Sequence, residues 1–346
     1  MGTRLRRFRT FGALVLVGPF HKETGLQHVQ CATMSMATRF EVVIPGDQTP
    51  EIRAAAEEAL RAVHETEALL SPYLPTSDIW RINHHAWQTP VHVSPITLGY
   101  LKTILDLNRI TAGAFDINVG RLMQAYGFRE ELSSRMPEAP IKPTAHRALA
   151  DLLIIDENGA TVAVADQDVC LDLGAIGKGF ALDSAAEALR ALGVSTAFIH
   201  GGSSSATGLG APPGEPGWKV AVAGTSGSGD NIADVYLNDC SLSVSTRLGR
   251  VATHEQEQVS HVIDPRTGRP ISSADIAAAV CESAAFCDAA TTALLVLGEE
   301  GPPMLHEARP AASTLVVSRT EGYRRIFHTG TAFTNCGPSW RGLLAS

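Results

Sequence analysis

The sequence predicts an α+β fold, with antiparallel sheets and packed helices in two intimately associated lobes, and three observations carry that expectation. Short β-rich runs are joined by turn signals, as in Leu152-Leu-Ile-Ile155 and Thr161-Val-Ala-Val164 linked through Glu157-Asn-Gly159, a hairpin pattern. Helical segments are inserted among these runs without the regular strand–helix alternation of a doubly wound parallel sheet. Finally, the 346 residues, 45% hydrophobic and 18% charged, suffice for one large core or two closely packed lobes.

Taken in order, residues 1–32 read as an extension outside the fold. Arg4, Arg6, Arg7 and Arg9 precede the apolar run Phe11–Phe20, which resembles a signal peptide, but no small-x-small cleavage site follows and His28-Val-Gln-Cys31 is a poor lipobox. A cytoplasmic location is therefore favoured over export. No apolar run reaches the roughly 18 residues needed to span a bilayer, so no transmembrane segment is expected. Phe40-Glu-Val-Val-Ile44 reads as a strand, and Thr49-Pro-Glu51 opens a helix with the apolar stripe Ile52, Ala56, Leu60 and Val63. Residues 71–77 form a turn-rich loop, Ser94-Pro95 starts a second helix reaching about Asn108, and residues 111–120 form a loop entering a short helix. Pro137, Pro140 and Pro143 mark 131–145 as a connector and the best boundary between lobes. Residues 203–230, rich in Gly, Ser and Pro, read as a loop, the last short strands end near Val316, and 331–346 is a tail.

The formal net charge of −8 argues against a nucleic-acid-binding face, although a polyanionic small molecule can still bind through a metal and backbone amides. Six cysteines without a CxxC pair give no zinc or dithiol signature.

Three segments carry chemistry. In 283–298, a helix apolar nearly all round, Asp288 is the one charged side chain, so a cation or a set of donors is expected to face it. Thr292, four residues on, shares its helix face, and oxygen ligands at that spacing suit a hard cation such as Mg²⁺; an Asp bonded to a neighbouring backbone or to an Arg is the alternative. Leu171-Asp-Leu-Gly-Ala-Ile-Gly-Lys-Gly-Phe180 runs from a strand through a glycine turn into a helix from Ala181 to Leu192. There backbone amides and Lys178 can meet phosphate oxygens, or the turn simply joins two elements. Ser260-His-Val-Ile-Asp-Pro-Arg-Thr-Gly268 sets His261 before a tight turn, in a structural or a catalytic role.

Together with Met36-Ala-Thr-Arg-Phe-Glu41, Ser71-Pro-Tyr73 through Asn83, Gly113-Ala-Phe-Asp116, Gly201-Gly202 and Asp288-Ala-Ala-Thr-Thr292, these segments occur in the order found in the ApbE family, the FAD:protein FMN transferases. The resemblance covers roughly residues 33–330, which defines the expected domain. It implies an architecture related to the T-fold, with FAD and Mg²⁺ between lobes and transfer of FMN from FAD to a threonine hydroxyl of an acceptor flavoprotein, releasing AMP. FAD hydrolysis to FMN and AMP, or flavin binding without catalysis, are the alternatives. Carried over by position, Met36, Tyr73, Ala114, Phe115, Asp116, Asp172, Lys178 and Ile263 are implied to contact FAD. The Ala175 carbonyl, Asp288, Thr292 and Thr291 are implied to hold Mg²⁺, and His261, with Asp288, to serve catalysis. The sequence departs from the family pattern at Ala37, where Gly is common, at Ser203, where Asp is common, and at Arg247-Leu248, where Ser-Gly is common.

Overall fold

The computed structural model describes residues 14–16, 27–129, 147–224, 231–247, 249, 251–254, 257–272, 274–320 and 323–335. The expected connector at 131–145 lies outside the described residues. The chain contributes β1 (Leu14–Leu16) and then the hairpin of β2 (His28–Ser35) and β3 (Thr38–Pro45). Register pairs His28 with Pro45, so the sheet takes in residues 28–32, which the sequence assigns to the extension. The hairpin turn holds Met36 and Ala37 at φ 50° and 56°, a region that a Cβ disfavours.

Helix α1 (Pro50–Leu70) starts as its cap and proline predict, with Thr49 Oγ1 accepting the Ile52 N–H. Next come α2 (Asp78–His85), β4 (Val91–His92), α3 (Pro95–Ile110) and α4 (Gly120–Ala125). The sequence reading missed α2, whose N-cap is Ser77. After α5 (Leu149–Leu152), β5 (Leu153–Asp156) and β6 (Thr161–Val164) form the expected hairpin. The strand expected before the glycine turn is absent. The Asn83 amide instead binds both backbone groups of Leu171, at 2.7 and 2.9 Å, and Asp172 N–H donates to the Ile117 carbonyl. Helix α6 (Gly177–Ala191) therefore begins earlier than expected.

Strands β7 (Ala197–Gly201), β8 (Ser205–Leu209), β9 (Trp218–Ala223), β10 (Asn231–Leu237) and β11 (Cys240–Thr246) follow. Two of them, β8 and β9, occupy the stretch expected to be a loop. Their small residues are there for packing: a methyl group on Gly208 would stand 2.7 Å from the Trp218 ring and 2.8 Å from Leu237. Short pairs β12 (Val251–His254) with β13 (Glu257–Ser260) and β14 (Ile263–Asp264) with β15 (Arg269–Pro270) precede β16 (Ala274–Cys281). Helices α7 (Ala284–Leu297) and α8 (Gly301–Ala308) lead to β17 (Ser313–Thr320) and β18 (Tyr323–Thr329), beyond the expected last strand. Part of the expected tail packs too, since Thr334 bridges to Asp234 of β10 and Phe333 is buried.

The main sheet has eight strands in the order β18-β17-β16-β11-β8-β7-β3-β2, every neighbouring pair antiparallel. The β1-β9-β10 sheet packs on one face, Val220, Val222 and Ile232 meeting Phe198, Leu242 and Val244. On the other face, α1 and α6 bury Ala56, Leu60, Ala181 and Ala185 against Phe40, Val42 and Ile199. The insert carrying α2, α3 and the β4-β6-β5 sheet shares one core with α7, where Leu101, Phe115 and Val162 join Phe286 and Leu294. Sheet, helices and insert thus converge on α7, which carries Asp288. Among the described residues, no helix is long and apolar enough to cross a membrane.

Candidate active site

Asp288 is 3% exposed, and the sequence expectation that something must face it is met by donors from three elements. Its Oδ2 accepts the Gly179 N–H at 2.8 Å, in the first turn of α6, and stands 3.5 Å from Lys178 Nζ. Its Oδ1 accepts the hydroxyls of Ser205 at 2.7 Å and Ser243 at 2.5 Å, from β8 and β11. Helices α6 and α7 come this close because position 179 is glycine: a side chain there would stand 2.5 Å from the Ala285 Cα. On the same helix, Thr291 shares a 2.8 Å hydrogen bond with Ser245, and both Thr291 and Thr292 direct their hydroxyls to the Asp288 carbonyl, at 2.9 and 3.5 Å.

The glycine turn runs from Asp172 into α6. Asp172 is buried and salt-bridged to Arg129, Nε to Oδ2 at 2.7 Å, while its Oδ1 accepts the Gly174 N–H at 2.8 Å. Two amides expected to cradle phosphate are used within the protein, since Gly177 N–H donates to the Leu173 carbonyl and Gly179 N–H to Asp288. The Lys178 ammonium and the helix dipole are further features that favour an anion at this helix start. Met36 lies over the same turn, its Sδ 3.8 Å from where a Cβ on Gly177 would be. Glu67 of α1 holds it there: Oε1 accepts the Met36 N–H at 2.8 Å and Oε2 the Ser35 hydroxyl at 2.6 Å.

His261 lies beyond the end of β11. A Cβ on Gly249 would stand 3.4 Å from its Cε1 and 3.2 Å from Thr246 Oγ1, and Phe128 meets the imidazole edge-on at 6.3 Å between centroids. Strand β11 therefore links the two parts of the site, with Ser243 on Asp288, Ser245 on Thr291, and Thr246 beside the segment that touches His261. Arg247 pairs with buried Asp275, Nη2 to Oδ1 at 3.1 Å, and its carbonyl accepts the Ser260 hydroxyl at 2.9 Å.

A buried carboxylate, a lysine at a helix start and a histidine on one continuous wall are features that many phosphoryl-transfer sites could share, and comparison with known proteins decides among them. The ApbE family model matches residues 36–315. The chain belongs to the ApbE family. It is 26% identical over 318 residues to the FAD:protein FMN transferase of Vibrio cholerae, spanning 90% of this chain and 93% of that protein. It is 29% identical over 306 residues to the FAD:protein FMN transferase of Salmonella typhimurium, at 86% of each. The crystal structure of the ApbE protein of Thermotoga maritima superposes with TM-score 0.73 at 25% identity, over 84% of this chain and 94% of that one. The flavin transferase ApbE of Vibrio cholerae gives TM-score 0.74 at 24% identity, over 88% and 97%, and so supports the expected α+β fold.

Within that family setting, the residues the sequence singled out fall into three groups. Asp288, Lys178, Thr291 and Thr292 form one cluster, with Ala175 in the turn leading to it and Met36 over the same turn. Tyr73, half exposed on the loop after α1, and Asp172 both lie near Arg129, and the Asp172 carboxylate raises its guanidinium's pKa. Ala114 and Phe115 are wholly buried, and Phe115 also uses its N–H on the Thr111 hydroxyl and its carbonyl on the Asn108 amide. Beside them Asp116 is nearly buried and accepts the Asn118 N–H at 2.7 Å, and Ile263 is buried in β14 opposite Pro270. Sequence reasoning missed Ser205, Ser243, Glu67 and Arg129. Ser205 sits in the 203–230 stretch that reads as a loop, and Ser243, Glu67 and Arg129 act only through tertiary contacts.

Proposed function

We propose that this protein transfers FMN from FAD to a threonine hydroxyl of an acceptor flavoprotein, with release of AMP. The observation that carries the proposal is the buried Asp288 cluster at the start of α6, built on the glycine-turn and Asp-x-x-x-Thr segments that the sequence shares with the family. The Lys178 ammonium, 24% exposed, is the group positioned to meet the pyrophosphate, with the positive end of α6 behind it. Met36, held by Glu67 above the turn, offers a soft apolar surface to the flavin. In the reaction the threonine oxygen attacks the phosphorus on the FMN side, the bond to the AMP oxygen breaks, and the hydroxyl proton passes to His261.

The donors around Asp288 suit Mg²⁺ in kind, because hydroxyls and a carboxylate are hard oxygen ligands. Asp288, Thr292, Thr291 and the Ala175 carbonyl are the residues that would hold the ion. When bound, it supplies neutralisation of phosphate charge. Lys178, 3.5 Å from Asp288 Oδ2, is the partner with most freedom to yield to it, being a long side chain joined by charge alone.

Purified protein incubated with FAD and MgCl₂, with and without an acceptor flavoprotein, tests the reading. AMP should appear with acceptor present, and FMN fluorescence should remain on the acceptor band after denaturing electrophoresis. AMP with free FMN, independent of acceptor, would instead establish hydrolysis, and no AMP under either condition would end the proposal.

A further inference from the structure

Helix α4 ends in a turn that joins two otherwise separate pieces of the site. Gly127, at φ 75°, closes the helix in a Schellman arrangement: its N–H donates to the Gln124 carbonyl at 2.9 Å and that of Phe128 to the Met123 carbonyl at 2.8 Å. The residues leaving this closed turn each meet a motif from elsewhere in the chain. Tyr126 donates its hydroxyl to the Gly268 carbonyl at 3.1 Å, Phe128 packs on His261, and Arg129 forks onto Asp172, with Nε to Oδ2 at 2.7 Å and Nη2 to Oδ1 at 3.4 Å. The Arg129 guanidinium also fills the space where a side chain at position 174 would begin, so a Cβ there would displace the tip of the fork. Burial opposes charge on Arg129, yet the Asp172 carboxylate outweighs it.

We infer that Arg129 is a positioning residue for FAD binding, fixing the Asp172 carboxylate so that one oxygen stays directed at a hydroxyl or amino donor of the dinucleotide. This deepens the proposed function and rests on it. Asp172 Oδ1 already accepts both the Gly174 N–H and an Arg129 N–H, whereas Oδ2 accepts one N–H and keeps acceptor capacity. A carboxylate without its fork could turn about its side-chain torsions, and a planar two-point contact removes that freedom. Because the fork comes from a closed helix end that also touches Gly268 and His261, the flavin-contact motif and the His261 motif are held in one frame.

The test measures FAD affinity by flavin fluorescence quenching, and KM and kcat for FAD, on the full chain and on Arg129→Ala, Arg129→Lys, Asp172→Asn and the double variant Arg129→Ala/Asp172→Asn. Arg129→Ala should weaken FAD binding by about 10- to 100-fold, the loss typical of removing a supporting partner, and most of the kinetic loss should fall on KM. Arg129→Lys, which keeps the charge but not the fork, should recover only part of it. The double variant should bind no worse than Asp172→Asn alone, because one residue acts through the other. Additive losses, full recovery by lysine, or unchanged affinity in Arg129→Ala would overturn the inference. A fall in affinity matched by a fall in melting temperature in both Arg129 variants would also overturn it, by assigning the residue to the fold. Wild-type protein that fails to bind FAD would remove the functional reading itself, which distinguishes the two failures.

Discussion

Asp183 and Asp288 sit on adjacent helices, and each reaches the N-terminus of the other's helix, but they are held by different kinds of donor. Asp183, on α6, accepts the Ala284 N–H at 2.7 Å, the Ala285 N–H at 3.0 Å and the Ser283 hydroxyl at 3.0 Å, all from the start of α7. Asp288, on α7, accepts one backbone N–H from α6 together with two serine hydroxyls, and faces an ammonium. Backbone donors cannot turn away without unwinding a helix, whereas hydroxyls and a lysine side chain can rotate. The same reciprocal device therefore makes a lock in one direction across the helix pair and a responsive site in the other.

The largest effect should come from breaking the responsive member. Asp288→Asn keeps the shape of the side chain but removes its charge, and the rate of AMP release with acceptor should fall by about 10² to 10³, the range for a lost electrostatic contact in the transition state. Asp288 is paired by four donors, so its removal should lower stability, contrary to the gain expected for an unpaired buried carboxylate. Near wild-type turnover of Asp288→Asn at saturating FAD and MgCl₂ would place both carboxylates in the structural class.

Both carboxylates depend on how closely the helices approach, and Gly179 sets that distance. Gly179→Ala places a methyl group 2.5 Å from the Ala285 Cα, against backbone that cannot yield, so urea denaturation should show a loss of about 2 to 3 kcal/mol. Activity should fall with it, because the Gly179 N–H also holds Asp288. Unaltered stability would show that the helix pair can separate without disturbing either carboxylate.

The two carboxylates differed as much in legibility as in role. Asp288 stood out because one charge interrupts a helix that is otherwise apolar, and burial follows from that pattern alone. Asp183 did not, since an Asp in Ala181-Leu-Asp-Ser-Ala185 reads as the solvent side of an amphipathic helix, and its partners lie about 100 residues further on. Ser205 was hidden in another way. Small polar residues in 203–230 signal a loop, yet in β8 they are what close strand packing and a buried carboxylate require. Most capped helices and the β5–β6 hairpin were readable because local sequence determines them; α2 was missed although Ser77 caps it, and the Arg129 fork depends on contacts that no local pattern records.

The smallest and most selective test concerns the pH response of the lock. Burial pushes the Asp183 carboxyl above its ordinary pKa of 3.8, the Ala285 and Ala284 N–H groups and the Ser283 hydroxyl pull it back in part, and the Asp288 charge adds to the rise. A carboxyl with a raised folded-state pKa binds its proton more tightly in the folded protein than in the unfolded chain. Its contribution to stability is therefore complete below the unfolded pKa and is lost as pH climbs through the raised folded value. Other carboxylates titrate over the same range, so the quantity to measure is the stability of wild type minus that of Asp183→Asn, by urea denaturation at intervals from pH 3.5 to 7. That difference should decline with rising pH, because only wild type carries the titrating group. Asp183→Asn should leave FAD affinity unaltered, since position 183 contacts the start of α7 and not Lys178 or Asp172. A difference that stays flat, or rises, would show that the α7 donors fully compensate the charge, and would erase the electrostatic distinction between the two carboxylates.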